Sequence, residues 1–262
     1  MAVQERHSKL IRLLDEHQML TIAEIAERLN ISAVTVRRDI AKLDEEGLLR
    51  RVPGGALRVT GHRPSPEPGV IPSTSADPLL PYKRAIAEKA IALVKPGDTI
   101  FIDSGSTNNE IAKYLLSLSD ISIVTNSIDI AYLFISRQDI SIYICGGTMG
   151  EVNPYSSVVG PLAEKMIQEF RANIAFIGTS GVHRTQGLTC SHPATARIKQ
   201  TMIRNASRVV LVTDHTKFDR VYRAYFCGID EIDQVITDRK APEESIEFIR
   251  NSGIEVIQVD PE

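Results

Sequence analysis

A chain of 262 residues, 43% of them hydrophobic, is long enough for one large core or for a small domain joined to a larger one. The N-terminal MAVQERHSKL has no apolar signal-peptide core, and no stretch approaches the roughly 18 uninterrupted apolar residues of a membrane span, so a cytoplasmic location without a membrane partner is expected. A net charge of −3 gives no global attraction to nucleic acid, and any basic surface must be local.

The first elements are helices. "KLIRLLDE" places Leu10, Leu13 and Leu14 on one helical face, and "TIAEIAERL" does the same with Ile22, Ile25, Ala26 and Leu29. Thr21 with Glu24 three residues on is the capping-box pattern that satisfies free N–H groups at a helix start. Ser32 then caps a third helix with Val36, Ile40 and Leu43 inward, and Gly47 ends it. "LLRRV" and "ALRV" flank Pro53-Gly54-Gly55 as two short strands around a tight turn.

Helix, turn, helix and hairpin make a winged helix-turn-helix over residues 1–60, in which the second helix of the pair enters the major groove of double-stranded DNA by its N-terminal residues. Ser32, Thr35, Arg37 and Arg38 lie in its first turn and a half. An arginine can donate two hydrogen bonds to a guanine edge, while Lys42, Arg50 and Arg51 suit phosphates. The competing reading is a solvated helix face, since Asp39, Asp44, Glu45 and Glu46 stand at pairing distance from the arginines.

Residues 61–81 hold six of the 13 prolines with several Ser, Thr and Gly and no apolar period, as in an extended, semi-rigid linker. Residues 82–262 alternate short β-branched runs ("TIFID", "SIVTN", "SIYICGG", "NIAFIG", "RVVLVTD", "QVITD") with helical patterns such as "KRAIAEKAIALV" and "ARIKQTMIRNA". That alternation predicts an α/β domain built on a parallel sheet with strands covered on both faces. Cys145, Cys190 and Cys227 have no CxxC spacing and no histidine at ligand distance; they read as buried thiols, with no metal and no cofactor expected.

Ligands of open parallel sheets bind beyond the carboxyl ends of the strands. The residues there are Asp103-Ser104-Gly105-Ser106-Thr107, Thr125-Asn126-Ser127, Gly146-Gly147, Gly178-Thr179-Ser180-Gly181, and Asp214 with Lys217. "DSGST" runs straight into a helix, so its N–H groups and the positive helix end suit a phosphate, Lys217 adds a point charge, and Asp103 and Asn126 suit hydroxyls. Taken one at a time, these loops are equally good βα turns; together they point to a polar, anionic ligand such as a sugar phosphate. His192 and His215 are loop histidines near the same edge.

These motifs closely resemble the DeoR family of bacterial transcriptional repressors along essentially the whole chain. "TVRRDIAKLDEEGLLRRVPGGA" (35–56) matches the N-terminal signature, and "GDTIFIDSGST", "VTNS", "CGG", "VVGPLAE", "AFIGTSGV", "GLT" and "TDHTKF" follow in the family's order. The resemblance implies a repressor of carbohydrate genes that binds operator DNA as a homodimer or homotetramer and is released by a phosphorylated sugar. Its sensor fold would resemble ribose-phosphate isomerases and sugar-phosphate deaminases. It assigns Thr35, Arg37 and Arg38 to the recognition helix, Asp103 to Thr107, Thr125 to Ser127, Gly146, Gly147 and Lys217 to the effector pocket, and Lys83 with Arg84 to a position near the start of the sensor. Pro53 departs from a usual His, Asp219 from a common Gly, and Thr195 and Ala196 stand where an acidic residue is usual ahead of Lys199.

Two other functions compete. An isomerase or deaminase would need a positioned base, for which only Asp103, Asp214 and Lys217 are candidates, none with an evident acid–base partner. Alternatively, the larger domain would serve assembly alone.

Overall fold

The computed structural model describes residues 3–17, 19–45, 49–52, 54–57, 77–149 and 157–261. They belong to two compact units, Met1–Ser73 and Thr74–Glu262. Gly47, Pro53 and most of the Pro-rich stretch, 61–76, lie outside the described residues.

The first unit comprises α1 (Val3–His17), β1 (Met19–Thr21), α2 (Ile22–Leu29), α3 (Ala33–Glu45), β2 (Arg50–Val52) and β3 (Gly55–Leu57). Leu10, Leu14, Leu20, Ile25, Val36, Ile40, Leu43, Leu49 and Ala56 form its core. The capping box is present: Thr21 N–H donates to Glu24 Oε2 at 2.8 Å, and Glu24 N–H to Thr21 Oγ1 at 3.3 Å. Asn30, at φ 51° and ψ 53°, ends α2 in the left-handed region, and Ser32 Oγ accepts the Thr35 N–H at 3.2 Å to open α3.

The hairpin of β2 and β3 has a third strand that the sequence pattern does not suggest. β1 pairs antiparallel with β3, so the order is β1-β3-β2. Gly55 makes this possible, because a Cβ there would lie 2.3 Å from Leu20 O.

Asp39 is buried and belongs to α1 rather than to the arginines of its own helix. Arg6 donates to it from Nε at 2.5 Å and Nη2 at 2.9 Å, and His7 Nε2 lies 3.1 Å away. Asp44 accepts the Arg51 N–H at 3.0 Å, which fixes β2 to α3.

The second unit begins with α4 (Leu80–Ile91), whose first turn contains Pro81. It continues through β4 (Thr99–Ile102), α5 (Ser106–Leu115), β5 (Ile121–Thr125), α6 (Ile128–Leu133), β6 (Ile140–Ile144), α7 (Pro161–Gln168), β7 (Ile174–Ile177), β8 (Gly181–His183), β9 (Gly187–Cys190), α8 (Pro193–Arg204), β10 (Val209–Val212), β11 (Ala224–Cys227), β12 (Gln234–Asp238), α9 (Glu243–Asn251) and β13 (Glu255–Val259). The α/β expectation holds: seven parallel strands run in the order β13-β12-β10-β7-β4-β5-β6.

Alternate residues of the central strands enter two cores. Ile100, Ile102, Phe176, Val210 and Val212 face α4 and α5, whereas Phe101, Ala175, Ile177 and Leu211 face α7 and α8. Apolar side chains at consecutive positions are therefore all buried. The edge strand β6 departs from this, with Tyr143 and Ile144 exposed. A small antiparallel sheet, β11-β9-β8, packs beside the second core and has no counterpart in the expected strands.

The Arg6 guanidinium holds the Asp39 carboxyl below the usual carboxylate range. A carboxyl whose folded value is depressed stabilises the fold above its unfolded value near pH 4 and loses that contribution as pH falls through the folded value. Asp39→Asn should destabilise the first unit by about 1–3 kcal/mol at neutral pH. In the full chain this would appear as faster hydrogen exchange of buried amides in α1 and α3, with the gap from wild type closing below pH 4.

Candidate functional site

The N-terminal half of α3 presents its charges outward because its apolar positions turn inward. Val36, Ile40 and Leu43 are buried with Asp39, leaving Arg37, Arg38 and Lys42 exposed. Asp39 and Asp44 are engaged elsewhere, and no carboxylate among the described residues pairs with Arg37 or Arg38. The Ser32 and Thr35 hydroxyls lie 2.9 Å apart and share a hydrogen bond at the helix start. Arg51 is exposed on β2, while the Arg50 side chain falls outside what is described.

In the second unit, the chain turns one way through β4, β5 and β6 and the other way through β7, β10, β12 and β13. The switch lies between β4 and β7, where the loops beyond the strands part. A cavity of about 340 Å³ opens there, lined by the turns after β4, β7 and β10 and by the start of α8. That volume falls within the range of small-molecule sites.

The turn after β4 is held from behind. Asp103 N–H donates to Phe176 O at 3.2 Å and Ser104 N–H to Asn126 Oδ1 at 3.2 Å, so the chain leaves the sheet in a fixed direction. Gly105, at φ 150° and ψ 159°, is the N-cap of α5 and supplies no side-chain cap. The first N–H groups of α5 thus have no capping side chain, and the Ser104, Ser106 and Thr107 side chains line the same space. An anion is the natural occupant of such a turn. The second helix at the cavity, α8, also starts without a side-chain cap, at His192 and Pro193.

Lys199 reaches the cavity from α8. It is buried, donates to Gly178 O at 2.9 Å and forms an ion pair with the fully buried Asp103. Several buried polar atoms of the lining have no partner: Ser104 Oγ, Asn108 Oδ1, Thr195 Oγ1 and Asp214 Oδ2, with Asp103 Oδ1 behind them. Unsatisfied acceptors of this kind suit the hydroxyl donors of a polar ligand.

Ser104, Gly105, Ser106, Thr107, Gly178 and Lys217 lie on the cavity wall. Asp103, Thr125, Asn126 and Ser127 form a buried layer behind it. Thr125 Oγ1 donates to Ile102 O at 2.7 Å, Asn126 Nδ2 to Val158 O at 3.1 Å, and Ser127 Oγ accepts the Ile130 N–H to cap α6. Gly146 and Gly147 follow the edge strand and are absent from the wall; a Cβ on Gly147 would lie 2.6 Å from Val159 O, so that glycine serves close packing. Lys83 is buried against Asp77 at 2.5 Å and likewise is not on the wall.

Lys199, Thr195, Asn108 and Tyr222 also line the wall, beyond the residues that the strand-end pattern predicts for it, and His192 is there as well. Lys199 has a readable signal, since it stands with Ala196 and Met202 on the inward period of α8, where an unpaired lysine would be costly. Cys190 also lines the cavity, and burial raises its thiol above the ordinary value. Among the described residues no group of His, Cys, Asp or Glu could hold a metal ion, and no helix is long and apolar enough to cross a membrane.

Residues 6–61 match the DeoR-like helix-turn-helix domain and residues 80–239 the DeoR C-terminal sensor domain. The chain is 33% identical over 241 residues to the transcriptional repressor AccR of Agrobacterium fabrum, covering 90% of each. It is 29% identical over 255 residues to a putative aga operon transcriptional repressor of Escherichia coli O157:H7, covering 97% of this chain and 93% of the other. Ribose 5-phosphate isomerase A of Neisseria gonorrhoeae overlaps 52% of each chain at 21% identity, with a TM-score of 0.37. The relatives that match along the whole chain are regulators and not enzymes. Matched in both units, the chain belongs to the DeoR family of transcriptional regulators, in which a helix-turn-helix domain precedes a sensor domain.

Proposed function

We propose that this regulator represses genes of carbohydrate metabolism by binding an operator through α3 and the β2–β3 wing, and that a phosphorylated sugar in the second unit controls it. The observation that carries the effector assignment is the conjunction, in one cavity, of the open N-terminus of α5 with buried acceptors that have no partner. The phosphate sits against Gly105, Ser106 and Thr107, with Lys217 adding charge. The sugar hydroxyls donate to Asp214 and Asn108 and accept from Lys199. Asp103, Thr125, Asn126 and Ser127 hold the turn; Gly146, Gly147 and Lys83 act at most indirectly.

On the DNA side, Arg37 and Arg38 contact base edges, Lys42, Arg50 and Arg51 contact phosphates, and Ser32 and Thr35 set the start of the helix. One winged helix makes few contacts, so tight binding calls for a homodimer or homotetramer on repeated half-sites. Effector and operator favour different arrangements, and each weakens the other's binding by the same factor.

A thermal-shift screen of the full chain tests the effector. A phosphorylated sugar at about 100 times its Kd should add roughly 2.7 kcal/mol of stability while its unphosphorylated parent adds none. A broad panel without any such pair would overturn the phosphate assignment. Ser106→Asp should abolish the shift by placing a carboxylate beside the phosphate, leaving operator affinity intact. Arg37→Ala or Arg38→Ala should do the opposite, weakening operator binding by about 5- to 150-fold in a gel-shift titration while the effector shift is retained.

A further inference from the structure

We infer that Val34 determines operator specificity by contacting the C5-methyl group of a thymine on the floor of the major groove. The inference rests on the reading of α3 as the recognition helix. Val34 is 65% exposed, stands outside the core of its unit, and occupies the second position of α3. At about 100° per residue, Arg37, Arg38 and Ala41 fall within roughly 60° of it on either side, whereas Val36, Asp39, Ile40 and Leu43 lie on the opposite face. Val34 is thus at the centre of the outward arc, with a guanidinium on each flank. Nothing in folding asks for valine there, because a β-branched side chain is a poorer helix former than alanine and this one buries little.

The chemistry of the position narrows the contact. Ser32 and Thr35 bond one another, so the hydroxyls nearest Val34 are partly occupied. A bare isopropyl group can neither donate nor accept a hydrogen bond. Among the base edges of the major groove, only thymine offers it an apolar partner, the C5-methyl group. The arginines on its flanks suit guanines to either side, and between them an aliphatic group contributes discrimination that charge cannot.

Site selection followed by methyl deletion tests the contact. The full-length protein is used to select sites from a random-sequence duplex library, and each thymine of the selected site is then replaced singly by deoxyuridine, which removes only the methyl group. For the wild type, one thymine per half-site should carry a penalty of about fourfold in Kd on losing its methyl. For Val34→Ala that penalty should fall to near unity, while unmodified selected DNA is bound more weakly. An absence of any deoxyuridine effect in the wild type would overturn the inference without reference to a variant, as would an undiminished penalty in Val34→Ala. Failure of the wild type to enrich any sequence would remove the recognition-helix reading itself, and the inference with it.

Discussion

The ion pair of Lys199 with Asp103 fixes the geometry on which the sensor unit depends. Two charges withdrawn from water cost several kcal/mol each unless they meet, and breaking such a pair leaves an uncompensated charge in the interior. Asp103 ends β4, Lys199 comes from α8, and the ammonium also holds Gly178 O at the end of β7. The carboxyl ends of the two strands flanking the switch point and the second helix at the cavity are therefore tied to one centre. Ser104 and Gly105 follow Asp103 directly, so the direction in which α5 offers its N–H groups is set by that centre and by the Asn126 side chain.

Asp39 plays a comparable part in the helix-turn-helix unit. Its carboxylate would neutralise the outward face of α3 if it turned to the helix's own arginines. Arg6 and His7 take it instead, which joins α1 to α3 and leaves Arg37 and Arg38 without a carboxylate partner among the described residues. Packing and surface potential are thus settled by one residue. Asp44 adds a second constraint by holding the Arg51 backbone, so β2 keeps its place relative to α3.

Much of this is legible in the sequence where the signal is local. The Thr21–Glu24 capping box, the inward trio Val36, Ile40 and Leu43, and the apolar runs of the central strands depend on neighbours a few residues away, and periodicity records them directly. The turn after β4 is equally plain, because hydroxyls and glycine at the head of a helix carry their meaning in order. What escapes depends on partners far apart in the chain. β1 exists because Gly55 lets Leu20 approach, 35 positions away. The strands β8, β9 and β11 are short and form a sheet of their own. The inward position of Lys199 on α8 marks it as a lysine that needs a partner, but the partner, Asp103, stands 96 positions away and no local pattern names it. Thr125, Asn126 and Ser127 have the composition of a binding loop, yet their hydrogen bonds are spent on the scaffold behind the cavity.

The burial of all three cysteines has a consequence for the kind of signal this protein can register. Burial raises the Cys145 thiol to about 11 and lifts Cys190 and Cys227 as well. Oxidants and electrophiles attack the thiolate, which these environments suppress at neutral pH. Cys190, although it forms part of the cavity wall, is thereby chemically quiet. The three cysteines of the sensor unit are therefore poor targets for oxidants and electrophiles at neutral pH.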